Sequence, residues 1–474
     1  MDVQHVGGAR LRQVRDLPCP PGLPLLGNFL HLRPDRLHTT LEEWAQKLGS
    51  PYRYRLGTLP VTVWTQAELF QTVMRERPHL YRRFSPIESV MAELGGNGVF
   101  SAEGAAWEPQ RRLVMQALSI PNIKAFYPAL AAITERFRLR LQRAASQGRT
   151  LQMTEELKRY TVDVTSALAF GEDPNTLEQE CGVIQEHLAL ILPAVMSRVS
   201  ALFPYWRYVR LPRDRKLDLA MLAVHRYIHD MIGRAREHMR QAPGDEPRNL
   251  LEAMLVASAA PDSSVTDEQI VANVLTLLVA GEDTTANTIC WALLYVAADP
   301  ALQQRLCDHS REVLGTSRVC PDYGALKHLD LCEAVCNEAN RLRPVAAIQT
   351  FEPLEDVCLG DVAVPAGMRM FFLTRPAMLA PANFAHPETF DPDRWMHHHD
   401  ASRGTHEPRA FLAFGGGPRV CPGRHLANVE MRLILSMLAA NFEVSIAADP
   451  ATIREVSAFT MVPSAMPVNL KMRA

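Results

Sequence analysis

FLAFGGGPRVCPGRHLANVEMRLILSMLAANF, Phe411 to Phe442, is the most informative stretch of this 474-residue chain. Its three glycines, Gly415, Gly416 and Gly417, permit a tight loop and close backbone approach to something flat or bulky. Cys421, Pro422 and Gly423 follow, and then Leu426, Val429, Leu433, Ile434 and Met437 recur along one side of a helix. Proline favours the first helical position, which predicts Cys421 at the cap. There the unpaired amides and the positive end of the helix dipole point at its sulfur and favour thiolate. Alone, Cys-Pro-Gly reads first as a buried free cysteine at a helix start. The whole run from Phe414 to Gly423 is far more specific.

A second stretch reads as one long helix. Thr266 and Gln269 make a capping-box start. The residue before Pro300 is biased away from helix, so the element stops near Ala298. It is apolar nearly all round and belongs in the core. Its centre, GEDTTANT, puts a glycine, two acids and threonines where each costs stability through propensity and desolvation. Thr284 can bond a carbonyl one turn back or a ligand, and Gly281 removes bulk so that something can sit against the helix. A kinked helix with solvated acids is the bland reading; an acid–alcohol pair that passes protons is the functional one.

Three shorter patterns add to these. Glu338 and Arg341 are three apart on one helical face, where an exposed ion pair contributes little. Trp107 and Arg111 are four apart, as for a half-buried indole with a snorkelling arginine. CPPGLPLLGN, Cys19 to Asn28, reads as an extended, rigid opening segment.

Together these stretches resemble the cytochrome P450 family. Its haem-binding loop runs Phe, two residues, Gly, one, Arg, one, Cys, one, Gly, and Phe414, Gly417, Arg419, Cys421 and Gly423 fill every position. The resemblance implies that Cys421 is the thiolate ligand to the iron of haem b, with Phe414 packed beside it. It implies that Arg419, Trp107 and Arg111 contact haem propionates. AGEDTT resembles the family's distal-helix motif, which makes Asp283 the acid, Thr284 the oxygen-side alcohol, and Ala280 and Gly281 the lining of the oxygen pocket. Glu338, Arg341 and Arg394 of FDPDRW match a structural trio. Two places depart from the pattern. Thr350 and Phe351 stand near a position that often carries a propionate-binding arginine, and Arg375 in TRPAM is not followed by the usual aspartate.

The implied fold is mainly α with a smaller β portion. It is a single haem domain over 1–474, opened by a proline-rich segment at 1–30, with no fused reductase. Local patterns agree. HTTLEEWAQKLG reads as a helix closed by Gly49, YRYRLG and PVTVWT as a hairpin, and 104–255 as mainly helical. The 358–373 span holds short β-rich runs, an irregular region extends from there to Phe414, and FEVSI pairs with VNLKM. QAPGDEPRN, 241–249, reads as a surface loop.

The implied activity is insertion of one atom of O2 into a small hydrophobic substrate, such as a fatty acid, terpenoid or steroid. Electrons come from NAD(P)H through a ferredoxin or flavodoxin-type partner. Pocket candidates are Leu275, Leu278, Val345, Ala346, Ala347, Phe459 and the loop from Ser85 to Val99; Arg424 and His425 mark a docking face. LFPYWRYV, 202–209, is the expected lid. A peroxide-driven oxygenase is a second reading, against which Asp283 and Thr284 argue; a haem-thiolate sensor is a third and a non-binding helical scaffold a fourth.

Hydrophobic residues are 47% and charged residues 22%, which excludes wholesale disorder. A net charge of -2 gives no global attraction for nucleic acid. Nine cysteines, an odd number, suit a reducing, cytoplasmic compartment, and no apolar run reaches membrane-span length. A monomer is expected. His328, Cys332 and Cys336, each four apart, are zinc-ligand types, but the segment reads better as a core helix. His397, His398 and His399 read as a solvated run.

Overall fold

The computed structural model describes residues 5–6, 9–171, 173–178, 183–201, 203–242, 246–261, 263–396 and 404–473. The three-histidine run, Leu202 of the expected lid and 243–245 of the surface loop lie outside them. Helices dominate, and the strands gather into small sheets. The alternating and β-branched runs form β1 (Tyr52–Leu56) and β2 (Leu59–Trp64), an antiparallel pair with Tyr52 opposite Val63. With β3 (Tyr81–Arg83), β4 (Ile348–Pro353) and β5 (Arg369–Leu373) they make one sheet in the order β1-β2-β5-β4-β3. Phe351 of β4 faces Arg83 of β3 across the ladder.

Five helices build the site: α1 (Trp107–Ala117), α2 (Met153–Phe170), α3 (Asp267–Ala298), α4 (Asp330–Leu342) and α5 (Arg424–Asn441). The capping box of α3 is present: Gln269 N donates to Thr266 Oγ1, and Thr266 N donates to Gln269 Oε1. Its 32 residues span roughly 48 Å at 1.5 Å per residue. Most of its side chains are buried, as its continuous hydrophobicity requires. α2 packs along it so closely that a Cβ at Gly281 would lie 2.7 Å from Thr165 Oγ1. The partner for which Gly281 leaves room is therefore α2.

Some expectations are corrected. Residues Thr374–Met378, placed in the irregular region, form a helical turn. His328 is exposed at the end of a 3-10 turn before α4, whereas Cys332 and Cys336 are fully buried within α4, so the three share no helical face. Among the described residues no cluster of metal-ligand side chains occurs. No described helix is long and apolar enough to cross a membrane. Of the expected lid, Trp206 is buried and donates to Glu93 at 2.7 Å, and Tyr208 is exposed.

β6 (Phe442–Ile446) pairs with β9 (Pro467–Met472), the expected hairpin, and β7 (Glu455–Ala458) with β8 (Thr460–Pro463) forms a second inside it. Phe459 turns that inner hairpin at φ +83, a conformation that costs a non-glycine residue on the order of 1 kcal/mol. The departure at TRPAM also has a partner. Arg375 bonds both Glu42 and Glu455, while Arg343 and His38 reach Glu455 as well, His38 at 3.0 Å. Burial pushes the Glu455 carboxyl up, but His38, Arg375 and Arg343 outweigh it and hold it at about 2.

Glu338 is fully buried and fully satisfied. Arg341 grips it through two bonds of 2.8 Å, Arg394 donates at 2.9 Å, and the Trp395 indole and the Asp391 amide each donate at 2.9 Å. The exposed ion pair that spacing alone suggests is thus overturned by burial. Arg341 also caps the carbonyls of Met378, Pro387 and Thr389. Removing one partner of a buried pair leaves an uncompensated charge. Glu338→Ala should lower unfolding free energy by about 3–5 kcal/mol in a denaturant titration; a loss below about 1 kcal/mol, the range of an exposed pair, would contradict this anchor.

Candidate active site

The cysteine loop is shaped by its own protein. Gly417 has φ +61, and a Cβ there would lie 2.1 Å from the Met74 carbonyl oxygen. The close approach that the glycines permit is to the backbone of helix Ala67–Glu76. Cys421 is not the cap: Gly423 is, and α5 begins at Arg424. Pro422 and Gly423 instead turn the chain so that the Gly423 and Arg424 amides bond the Cys421 sulfur. Burial pushes the thiol up, while those amides and the charges of Arg111 and Arg424 pull it down without cancelling the rise. The expected low-pKa thiol is therefore absent in the protein alone; a bound metal would deprotonate it outright.

Cys421 has ample accessible surface even though protein atoms crowd its sulfur. It opens onto a recess rather than onto bulk water. Ala280, near the middle of the mostly buried α3, is exposed as well. The two helices meet just beyond, where Thr285 donates to the buried Glu430.

A cationic cluster edges this recess. Arg419 donates to Glu103 at 2.7 Å and to the Ala102 carbonyl at 2.8 Å, and lies 4.2 Å from the Trp107 ring centre. Arg77 reaches the same Glu103 at 2.9 Å. Arg83 sits 3.9 Å over the Phe100 ring and donates to the Phe100 carbonyl. Burial, then neighbouring arginines, pushes Arg83 down to about 9; burial does the same to Arg419. Arg111 stands close enough to feel both Cys421 and Arg419. Three guanidinium groups thus crowd one carboxylate, and Nε of Arg77 and of Arg419 are buried without partners. Such a set calls for another anion. A thiol beside it and an anion-hungry arginine edge fit a haem with its propionates.

At the position of the family's missing arginine, Phe351 is buried in the sheet, and Arg83 stands directly opposite it on β3. Sequence reading overlooked Arg77, Arg83 and Glu103; the YRRF run before the loop was the only cue.

On α3, Thr284 donates to the Ala280 carbonyl at 3.0 Å, the bond expected one turn back. Asp283 pairs with Lys158 of α2 at 2.9 Å. Thr161 donates to the Glu282 carbonyl, which joins the helices again. Phe414 packs on the core with Arg424 above its ring. Leu275 and Leu278 are buried in the cluster that Phe459 and Phe100 border. Val345 and Ala347 are buried, with Met461 of β8 bonded to the Val345 carbonyl; Ala346 is half-buried.

A family model described as Cytochrome P450 matches residues 17–470. The chain belongs to the cytochrome P450 family. It is a P450 monooxygenase by that membership, and hydroxylases are among its relatives. Cyclooctatin synthase of Streptomyces melanosporofaciens is 27% identical, covering 91% of each chain. The mitochondrial 25-hydroxyvitamin D-1 alpha hydroxylase of Mus musculus is 27% identical over 92% of this chain and 88% of its own. A steroid 17-alpha-hydroxylase/17,20 lyase of Oryzias latipes is 26% identical over 91% and 86%.

Two acids at the site are held neutral. Burial raises Glu282 from 4.5 to about 8, helped by Asp283 and opposed by Lys158; burial alone raises Glu430 to about 8 against its bond from Thr285. The folded protein therefore keeps protons that the unfolded chain releases above 4.5, so their contribution to stability is lost as pH rises toward 8. Urea midpoints should fall across that window, and Glu430→Gln should flatten the fall. An equal slope in the variant would contradict the neutral assignment.

Proposed function

We propose that this P450 hydroxylates or epoxidises a steroid- or terpenoid-sized hydrophobic molecule, with electrons from NAD(P)H delivered by a ferredoxin or flavodoxin-type protein. One observation carries the site assignment: an accessible Cys421 lies within electrostatic reach of Arg111, which in turn neighbours Arg419 and its under-neutralised arginine cluster. Bound there, haem would supply an iron that activates oxygen, with a thiolate favouring O–O cleavage.

The chain's own residues have separable roles in this reading. The Gly423 and Arg424 amides orient the Cys421 sulfur and neutralise part of its charge. Arg419 and Arg83, with Trp107 and Arg111 beside them, hold the anionic edge of the cofactor. Thr284 shares its hydroxyl proton with the Ala280 carbonyl and can turn it toward the recess. Asp283, held in place by Lys158, passes a proton on to that hydroxyl. Leu275, Leu278, Val345, Ala347 and Phe459 supply apolar walls that exclude water. The relatives named for 25-hydroxyvitamin D and for a steroid support the size of the substrate. The exposed Arg424 supports an acidic reductant docking beside α5. The free cysteines fit a cytoplasmic setting, in which we place the protein as a monomeric single haem domain.

Two variants test the assignment. Cys421→Ser should abolish the thiolate signature of the reduced carbon-monoxide complex. Thr284→Ala should keep haem but cut product formed per NAD(P)H by about tenfold or more, with the missing electrons recovered as peroxide. A survey of lipophilic ligands by haem difference spectra supplies the substrate for the second assay. Unchanged coupling in Thr284→Ala would remove the hydroxyl from the proton path.

A further inference from the structure

Tyr323 lies in the segment before α4, and its hydroxyl meets His425 Nε2 at 2.6 Å. The ring centres are 6.2 Å apart. His425 is the second residue of α5 and follows Cys421 by four positions. Even a fully extended chain would keep those two Cα atoms within about 14 Å. Both rings are half-buried, so small solutes retain access to them. Burial lowers the imidazole pKa and raises that of the phenol, so at neutral pH Tyr323 donates and His425 accepts. Arg432, which neighbours Tyr323, is occupied by Glu333.

This bond differs in kind from those of the other tyrosines. Tyr52 and Tyr127 donate to carbonyl oxygens, which cannot take up a proton. Tyr160 meets the Thr134 hydroxyl, and Tyr205 and Tyr295 receive bonds from arginines. Of these six, Tyr323 alone has a nitrogen base, and only a base lets the phenol lose an electron and its proton together. Trp107, the indole nearest the arginine edge, has Arg419 over its face, and that cation opposes removal of an electron from the ring.

We propose that Tyr323 and His425 form a redox-active pair that drains unused oxidising equivalents from the Cys421 site, a role that rests on haem being held there. One electron leaves Tyr323 for the oxidised haem, the phenol O–H bond breaks, and its proton passes to His425 Nε2. The products are a neutral phenoxyl radical and an imidazolium. A soluble one-electron reductant of the ascorbate class returns the electron, and His425 returns the proton. Two passes supply the two electrons, and the oxidised reductant and solvent supply the two protons, that take one hydrogen peroxide to two waters without oxidising a substrate. The pair would protect the cofactor whenever oxygen activation outruns substrate supply.

The test mixes haem-loaded protein with hydrogen peroxide in the absence of substrate, freezes it, and records electron paramagnetic resonance. Wild type should show a tyrosyl radical. Tyr323→Phe should lose it at unchanged haem content and melting temperature, and should bleach several-fold faster under peroxide. His425→Gln, which keeps an acceptor but no base, should lower the radical yield several-fold. Ascorbate should slow bleaching of wild type but not of Tyr323→Phe. A tyrosyl signal that survives Tyr323→Phe overturns the proposal, as does its absence from wild type with an intact carbon-monoxide spectrum; either result leaves the haem-thiolate reading standing. Colourless protein overturns both.

Discussion

A carboxylate with no accessible surface needs donors for its lone pairs, and Glu338 has five such bonds, from Arg341, Arg394, Trp395 and the Asp391 amide. Its partners lie on two separate stretches of chain. Arg341 is on α4, one turn from the carboxylate; the others come from the irregular run that leads toward the cysteine loop. Arg341 extends the clamp by capping the Pro387 and Thr389 carbonyls. An irregular segment with no ladder of its own therefore obtains a rigid seat, and the Phe411–Gly423 loop begins from a defined position.

The opposite wall is positioned by different physics. α3 gains its place from apolar burial along most of its length, and its polar centre is then matched group by group to α2. Gly281 meets Thr165, the Glu282 carbonyl meets Thr161, and Asp283 meets Lys158. The acid next to Thr284 is thus held by a helix that has no part in the cysteine loop. Between these walls, the arginines around Glu103 remain short of negative charge. That imbalance, more than any single contact, marks where an anionic cofactor belongs.

Much of this was legible in the residues. The capping box at Thr266, the stop before Pro300, the outer hairpins and the cysteine motif follow from local rules, and local rules read well where a pattern is long or specific. The burial of Glu338 was invisible, because an i, i+3 ion pair looks the same on a surface and in a core. Gly281 and Gly417 were read as leaving room for a cofactor or its oxygen, but what approaches them is helix Met153–Phe170 and the Met74 backbone, which only the tertiary fold brings near. Cys421 was placed two residues too far into the helix, since Pro422 serves a turn rather than the first helical position. Arg83 was overlooked because its relation to Phe351 is a cross-strand register, and register between distant strands is not written in either strand alone.

The clasp around Glu455 ties the order of assembly to the direction of synthesis. His38 and Glu42 leave the ribosome early, while Glu455 emerges near the end, so the early residues wait for most of translation with their eventual counter-charge unmade. Arg375 can meet Glu42 first and form a half-built knot. Only arrival of the inner C-terminal hairpin completes it, and the same event brings Phe459 to the apolar wall. That stretch of wall therefore cannot be made until the chain is nearly complete.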